Sequence, residues 1–482
     1  MLYFILPLLF AVSSAAIIEK RQTPSKSDVC YTIASQIKGD VYYPLSLSLN
    51  YWKGVEHYMT SSYAEATCVV EVADAQDVST VMKIIAATGT PFAIKSGGHA
   101  SNPGFSSTTG VHISLTRLSQ VNLSPDKKTV EVGTGLEWSE VYDALEGTGV
   151  QAVGGRVAGP GVGGVTLGGG YSWLTNQYGL ACDTVGAFNI VLPDGSIKNV
   201  DSSHVDLFFA LKGGLNRFGI VTSIIFNTFP QPHEVYGGTH FFETRAIPEL
   251  IKATAKFQNE NTDPKAQLIL TITGGLVPGA ILLLHYDGPN RPASFSAFES
   301  IGGLSISTVR TQSFASFTNS IPSKLGAGHR GSFHTLMVTG LTENFIKAVY
   351  NESSHYGSLA LLNGGTSLSY DVEPFLKYGE HATDSAFPHA SSPLPLNLYW
   401  VWELPSKDAF WRNAMQQSVK TLTEVAKREG IFNEQDPVYG NYAQDIYSGA
   451  QLYGPKNAER LKTIQRKYDP TGVMDLAGGF KL

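Results

Sequence analysis

The sequence predicts an α+β protein with a two-part N-terminal domain and a second domain in which an antiparallel sheet is backed by helices. A chain of 482 residues is too long for one ordinary hydrophobic core. Between Thr67 and Val111, short β-rich runs flank a helical segment, and this strand–helix–strand order indicates an α/β unit. Beyond Pro230 and Pro232 the pattern changes to long apolar strands separated by amphipathic helices.

The N-terminal domain is expected to span residues 22–232 and the second domain residues 233–430, while a C-terminal segment, 431–482, returns to the first domain. The strands predicted in the first domain are Cys68–Val72, Pro91–Ile94, Val111–Leu115, Thr129–Gly133, Val185–Leu192 and Ile220–Phe226, and its helices are Val78–Ile85 and Glu137–Leu145. The strands predicted in the second are Gln267–Thr273, Ala280–His285 and Asn397–Glu403, and its helices are Ile247–Gln258 and Lys407–Ala426.

Residues 1–21 are predicted to include a signal peptide. The apolar run Leu2–Val12 has the length of a signal-peptide core and is followed by the small residues Ser13–Ala16. This run is too short to span a bilayer, so we expect a secreted protein without a stable membrane anchor. Lys20–Arg21 is either a dibasic processing site or a pair of solvated charges behind the leader.

Cysteines and glycosylation triplets are compatible with an oxidising compartment. Cys30 and Cys68 could form a disulfide, and Cys182 would then be unpaired. Asn122 and Asn351 each begin an Asn-x-Ser triplet, and whether either is glycosylated is left open by the sequence.

The charge pattern argues against two classes of protein. The net charge of −6 is modest and no run of Lys or Arg could follow a phosphate backbone, so nucleic acid is not an expected partner. No group of His, Cys and carboxylate residues has the spacing of metal ligands, so no metal site is predicted.

Three glycine clusters in the first domain predict a dinucleotide cofactor. They are Ser96–His99, Gly159–Gly170 and Gly213–Gly219. Because glycine lacks Cβ, backbone N–H groups can approach a ligand closely there, and a diphosphate is the ligand that most often needs such an approach. Tight turns without a ligand would explain one such cluster better than three.

Gly159–Gly164 also satisfies the G-x-G-x-x-G pattern of NAD-binding proteins. That interpretation requires a helix to begin directly after a strand, whereas Gly168–Gly170 would break the helix after a few residues. An acidic residue at a strand end about twenty positions later is also missing. An NAD-dependent dehydrogenase is therefore a remote alternative.

Ordered motifs along the chain are similar to those of one flavoenzyme family. Residues Pro91–Gly104 resemble the diphosphate loop of the berberine-bridge-enzyme-like branch of the vanillyl-alcohol oxidase/p-cresol methylhydroxylase superfamily. Further segments resemble that family in the same order, namely Gly154–Arg156, Gly161–Gly164, Leu167–Gly170, Asn216–Val221, Tyr439–Tyr442 and Tyr468–Pro470. The resemblance covers most of the chain and implies the fungal-type secreted branch, with a PCMH-type FAD-binding domain.

The resemblance also implies that FAD is attached covalently to His99. The residues that it places against the cofactor are Ser96, Gly97, Gly98, His99, Ala100, Gly161, Gly163, Gly164, Leu167, Gly168, Gly169, Gly170, Gly219, Ile220, Val221 and Asn441. Many relatives add a second bond from a cysteine within the stretch matching Gly155–Gly159, where this chain has Val157. We therefore expect no cysteinyl link. Because this chain departs from its doubly linked relatives here, their sugar-oxidising activity is not readily assigned to it.

The candidate catalytic residues are Tyr439 and Tyr442. One of them could take the proton released when hydride leaves the substrate carbon, or both could only line the flavin pocket, with Asn441 bonding the flavin edge. A phenol needs a cationic or hydrogen-bonding partner to act as a base near neutrality. Glu403 is a weaker candidate because its register turns it to the opposite strand face, and His389 is expected to be structural.

These residues predict a secreted FAD-dependent oxidase that acts on an alcohol or amine carbon of a small organic molecule or secondary metabolite. O2 is the expected electron acceptor, although the sequence does not decide between an oxidase and a dehydrogenase. The alternatives are a carbohydrate oxidase that acts on oligosaccharides and, in another class, a catalytically silent flavin-bearing binding protein.

Overall fold

The protein is described by a computed structural model that covers residues 29–44 and 49–482. The predicted signal peptide and Lys20–Arg21 lie outside the described residues.

The first half of the chain mixes short strands with helices. Its strands are β1 Asp40–Tyr42, β2 Cys68–Glu71, β3 Phe92–Lys95, β4 Val111–Ser114, β5 Val121–Leu123, β6 Thr129–Gly133, β7 Val150–Gln151, β8 Val185–Val191, β9 Ile197–Asp201, β10 Ile220–Asn227 and β11 Phe229–Pro230. Its helices are α1 Val29–Ala34, α2 Asn50–Val55, α3 Ala75–Thr88, α4 Trp138–Leu145, α5 Val162–Leu167, α6 Thr175–Tyr178 and α7 Val205–Leu211.

The second half has longer elements. Its strands are β12 Val235–Phe242, β13 Ala266–Gly275, β14 Gly279–Tyr286, β15 Leu304–Ser307, β16 Arg310–Gln312, β17 Arg330–Val338, β18 Gly365–Val372 and β19 Leu394–Trp402. Its helices are α8 Ile247–Glu260, α9 Ser296–Glu299, α10 Phe314–Ser320, α11 Glu343–Asn363, α12 Asp408–Arg428 and α13 Gly449–Tyr468, the last kinked at Gly454.

Two main sheets and a two-stranded sheet of β7 and β11 build the N-terminal domain. The first has the order β1-β2-β4-β3, with β2 and β3 parallel to the fully buried β4. Helix α3 connects β2 to β3; the Asp74 carboxylate caps its first turn, and Gly89 ends it at φ +65°. The second sheet is antiparallel, in the order β5-β6-β10-β8-β9.

The second domain is one large antiparallel sheet in the order β15-β12-β14-β13-β18-β19-β17, with β16 beside β12. Helices α11 and α12 pack on one face of it. Strand β18 shows how the two faces differ, because Leu368 and Tyr370 lie in the hydrophobic core while Ser369 and Asp371 line a cavity on the other face. The predicted α+β class, with a helix-backed antiparallel sheet, is confirmed.

A disulfide joins Cys30 in α1 to Cys68 in β2, and Cys182 is a free, buried thiol. The pairing that the sequence left open is therefore present in the structure. The short strand β1, which the sequence did not reveal, pairs with β2 beside this bridge.

The end of the chain contacts the N-terminal domain. Arg217 donates to the carbonyl of Met474 and forms an ion pair with Asp475. The rings of Phe105 and Phe480 meet edge to face at 4.8 Å. In the part of the chain that the structure describes, no helix combines the length and apolarity needed to cross a membrane.

Candidate active site

A cavity of about 470 Å³ lies between the glycine-rich segments of the N-terminal domain and the large sheet. Most of the residues that the sequence placed against a cofactor line it, together with both candidate tyrosines; they are Ser96, Gly97, Gly98, His99, Ala100, Gly161, Gly163, Gly164, Leu167, Gly219, Ile220, Val221, Tyr439, Asn441 and Tyr442. The chain therefore brings three distant glycine segments and the C-terminal motif to one place.

The first two glycine segments touch through bare backbone. A Cβ atom on Gly97 would lie 2.6 Å from the backbone nitrogen of Gly161, and a Cβ atom on Gly161 would lie 2.3 Å from the nitrogen of Gly97. Gly98 adopts φ +67°, which favours glycine, and turns the chain into His99. A side chain at position 97 or 161 would force the two segments apart and displace the loop that carries His99.

Gly168, Gly169 and Gly170 do not line the cavity, although the sequence placed them there. They end helix α5 instead, and this helix is only six residues long. A Cβ atom on Gly168 would lie 2.1 Å from Oδ1 of Asn441, so glycine at this position makes room for the Asn441 side chain. The short helix, which is separated from β7 by residues 152–161 rather than beginning directly after a strand, agrees with the rejection of an NAD-type fingerprint.

His99 lies half-buried among aromatic side chains at the edge of the cavity. Its ring stacks on Tyr58, with centroids 4.0 Å apart and planes 19° apart. Its Nε2 atom is shielded from solvent and has no hydrogen-bond partner among the described residues. Burial lowers the pKa of His99 to about 4, so the imidazole is neutral near neutral pH and keeps a free lone pair.

Tyr439 and Tyr442 have different partners. The Tyr439 hydroxyl accepts hydrogen bonds from the Asn441 amide at 3.1 Å and from the backbone of Gly170 at 3.3 Å, and burial raises its pKa to about 12. The Tyr442 hydroxyl accepts a hydrogen bond from Nη2 of Arg156 at 2.7 Å and lies 3.4 Å from Oε1 of Glu373. Tyr442 therefore has the cationic partner that the sequence could not name.

Glu373 and Arg156 form an ion pair inside the protein, with Nη2 and Oε2 2.7 Å apart and side chains only 1% and 6% exposed. Burial raises the pKa of Glu373 to about 7, and the neighbouring Arg156 opposes this shift. Removing one partner of such a pair would leave a buried, uncompensated charge. Glu373 was not among the site residues that the sequence predicted.

Asp371 is a second carboxylate in the cavity wall that the sequence analysis missed. Thr271, Asp371 and Asn397 are cross-strand neighbours in β13, β18 and β19. The Asp371 carboxylate accepts hydrogen bonds from the Thr271 hydroxyl at 2.7 Å and the Asn397 amide at 2.9 Å, and burial raises its pKa. Oδ1 of Asn397 is buried without a partner among the described residues, so this wall offers acceptors to a ligand.

Glu403 and His389 lie away from the cavity. Glu403 follows the last residue of β19, is 48% exposed and pairs with His329 at the surface. Nε2 of His389 bonds to Asp183 at 2.8 Å in the protein interior, as a structural residue does. The carboxylates that line the cavity therefore come from β18 and from the segment directly after it, and not from the end of β19.

The residues around the cavity fit a dinucleotide that carries a flavin. Glycine backbones leave room where a diphosphate needs close N–H groups, and a neutral histidine with an orphaned ring nitrogen stands beside them. No cysteine lines the cavity, since two are in the disulfide and the third is buried elsewhere, while Val157 does line it.

Comparison with known proteins agrees with this geometry. Residues 66–201 match a family model described as an FAD binding domain. A FAD-dependent monooxygenase (drtC) of Aspergillus calidoustus is 31% identical over 457 residues, which cover 88% of this chain and 84% of that protein. A FAD-dependent monooxygenase (macF) of Penicillium terrestre is 32% identical, with 85% and 80% covered.

Solved structures share the fold over nearly the whole chain. The 6-hydroxy-D-nicotine oxidase of Arthrobacter nicotinovorans has a TM-score of 0.75 at 16% identity, with 92% of this chain and 98% of that chain covered. The glucooligosaccharide oxidase of Acremonium strictum has a TM-score of 0.78 at 18% identity, with 92% and 97% covered. The latter is described as carrying a 6-S-cysteinyl, 8α-N1-histidyl FAD.

Proposed function

Because the chain belongs to a fungal family of FAD-dependent oxidoreductases whose members include proteins named FAD-dependent monooxygenases, we propose that it is a berberine-bridge-enzyme-like oxidase of a small organic or secondary-metabolite substrate. It takes hydride from an alcohol or amine carbon, and O2 is the final electron acceptor. The observation that carries this proposal is the contact of Tyr442 with the buried Arg156–Glu373 pair in the wall of the cavity that also holds His99.

His99 is the proposed attachment point of FAD, held at its diphosphate by the segments around Gly97 and Gly161. Attachment would break one methyl C–H bond of the flavin ring and one imidazole N–H bond of His99 and would form one C–N bond. The two protons and two electrons released would reduce O2 to hydrogen peroxide. Val157 and the positions of the three cysteines support a single, histidyl link. When bound, FAD accepts hydride from the substrate carbon and passes the electrons to O2.

Tyr442 and Glu373 are the proposed acceptors of the substrate proton. Arg156 donates to the Tyr442 hydroxyl, which leaves the phenolic proton free to point to Glu373. Burial raises the pKa of Tyr442 well above its usual value, so a lasting phenolate is unfavourable. The proton of the substrate O–H or N–H passes to the Tyr442 oxygen while Tyr442 passes its own proton to the Glu373 carboxylate.

This relay predicts the pH dependence. Glu373 must be ionised to receive a proton, so kcat/KM should rise with pH through a midpoint near the pKa of about 7 of Glu373. Tyr442→Phe should lower kcat by about 10²- to 10⁴-fold, the usual contribution of general acid–base catalysis. Glu373→Gln should remove the midpoint from the profile as well as lower kcat.

The control for this experiment is Glu403→Gln, which removes an exposed carboxylate outside the cavity and should leave the profile unchanged. The pH profiles of kcat and kcat/KM are obtained for all variants from steady-state rates between pH 5 and 9. A Glu373→Gln enzyme with the wild-type midpoint would assign the proton acceptor to another group.

The sheet wall supports a substrate with one apolar side and hydrogen-bond donors on the other. Ile269, Ile281 and Leu283 line the cavity from β13 and β14. Asp371 and Asn397 offer acceptors from β18 and β19. An aromatic alcohol or amine combines these features better than an oligosaccharide, whose hydroxyl groups cover every edge.

Oxidation without oxygen insertion is the expected outcome of turnover, even though the relatives in sequence are named monooxygenases. With aromatic alcohols and amines under ¹⁸O2, we expect one hydrogen peroxide per product and no label in the product. Oligosaccharides, run in parallel, should react more slowly. Product that contains ¹⁸O would instead show that the enzyme is a monooxygenase. If no substrate is turned over, the alternative of a flavin-bearing binding protein is favoured.

We also propose that the protein is secreted, as its N-terminal sequence predicts. The Cys30–Cys68 disulfide is typical of oxidising compartments, and Asn122 and Asn351 are both exposed. In a eukaryotic secretion host, N-glycosidase treatment should lower the mass of the protein recovered from the medium. The Asn122→Gln/Asn351→Gln variant should show no such shift, and retention of the wild-type protein in the cells would contradict secretion.

A further inference from the structure

Two aromatic rings flank the His99 imidazole nearly in parallel. Tyr58 stacks at 4.0 Å and Phe333 at 5.7 Å, and each ring plane makes an angle of 19° with the imidazole. Stacking of this kind restricts rotation of the imidazole and shields it from water.

Each flanking residue is also tied to the loop that carries His99. The Tyr58 backbone N–H donates to the carbonyl of Gly98 at 3.0 Å, directly before His99. The Phe333 backbone N–H donates to the Ser101 hydroxyl at 2.9 Å, two residues after it. The loop is thus fixed on both sides of His99 by the same two residues that flank its ring.

The two rings come from different parts of the fold. Tyr58 precedes β2 in the N-terminal domain, whereas Phe333 lies in β17 of the large sheet. Tyr399 in β19 joins them, since its hydroxyl lies 2.9 Å from that of Tyr58 and its ring packs 5.0 Å from that of Phe333. The environment of His99 is complete only when the two domains are packed together.

We infer that Tyr58 and Phe333 are positioning residues for the covalent attachment of flavin to His99. This inference rests on the proposed function, in which His99 carries FAD. The rings hold the imidazole in one orientation, and the lowered pKa of His99 keeps it unprotonated and nucleophilic near neutral pH. Because Phe333 belongs to the large sheet, attachment follows the packing of the second domain on the first.

The test compares two leucine variants, which lose the aromatic ring, with a phenylalanine variant, which keeps it. In Tyr58→Leu and Phe333→Leu the planar contact is lost, and attachment should be slower by about 10²-fold, the effect of a small misplacement of reacting groups. Tyr58→Phe keeps the ring and should attach flavin at nearly the wild-type rate. The control is Phe229→Leu, which breaks a stacked pair with Tyr178 of similar geometry, at 3.9 Å and 21°, between residues that do not line the cavity.

Each full-length variant is produced under flavin limitation, supplied with FAD, and precipitated with acid at intervals. The flavin that stays in the pellet measures attachment, and near-ultraviolet circular dichroism with total bound flavin measures folding. We expect both leucine variants to bind FAD but to release most of it on precipitation. Wild-type attachment rates in Tyr58→Leu and Phe333→Leu would overturn the inference, whereas a wild-type protein that releases all its flavin would overturn the covalent proposal itself.

Discussion

The contact between the backbones of Gly97 and Gly161 sets the position of everything else in the site. Neither residue has room for a Cβ atom, so two segments more than sixty residues apart lie against each other without side chains. This contact exposes backbone at the cavity and places His99 beside it. Tyr58 and the large sheet then close around the histidine. The geometry of the cavity thus depends on glycine, which lacks a side chain, at both positions.

Two opposite charges that line the cavity form an ion pair between distant parts of the chain. Arg156 comes from the N-terminal domain, and Glu373 from the segment directly after β18, so their ion pair crosses between the domains. Tyr442, from the C-terminal segment, bonds to both. Three parts of the chain therefore meet at the group that is proposed to take up the substrate proton. Loss of either partner of the Arg156–Glu373 pair would leave a buried, uncompensated charge, so the pair depends on how these parts of the chain pack together.

The sequence could predict the local features of this site but not its long-range pairs. Glycine clusters and the motif around His99 are contiguous in sequence, so their chemistry is visible there. The role of Glu373 depends on Arg156, 217 positions away, and on the register of β18 against its neighbours. One signal was available, since Ser367, Ser369, Asp371 and Glu373 alternate with apolar residues as they do in a strand with one polar face. Nothing local indicates that Tyr58 stacks on His99.

The state of His99 in the purified enzyme is the most direct test of this account. The protein is precipitated with acid, digested, and the peptide that contains His99 is weighed by mass spectrometry. We expect a yellow pellet and a His99 peptide that is heavier by one FAD less two hydrogens. A colourless pellet, with all flavin free in the supernatant and an unmodified His99 peptide, would contradict it.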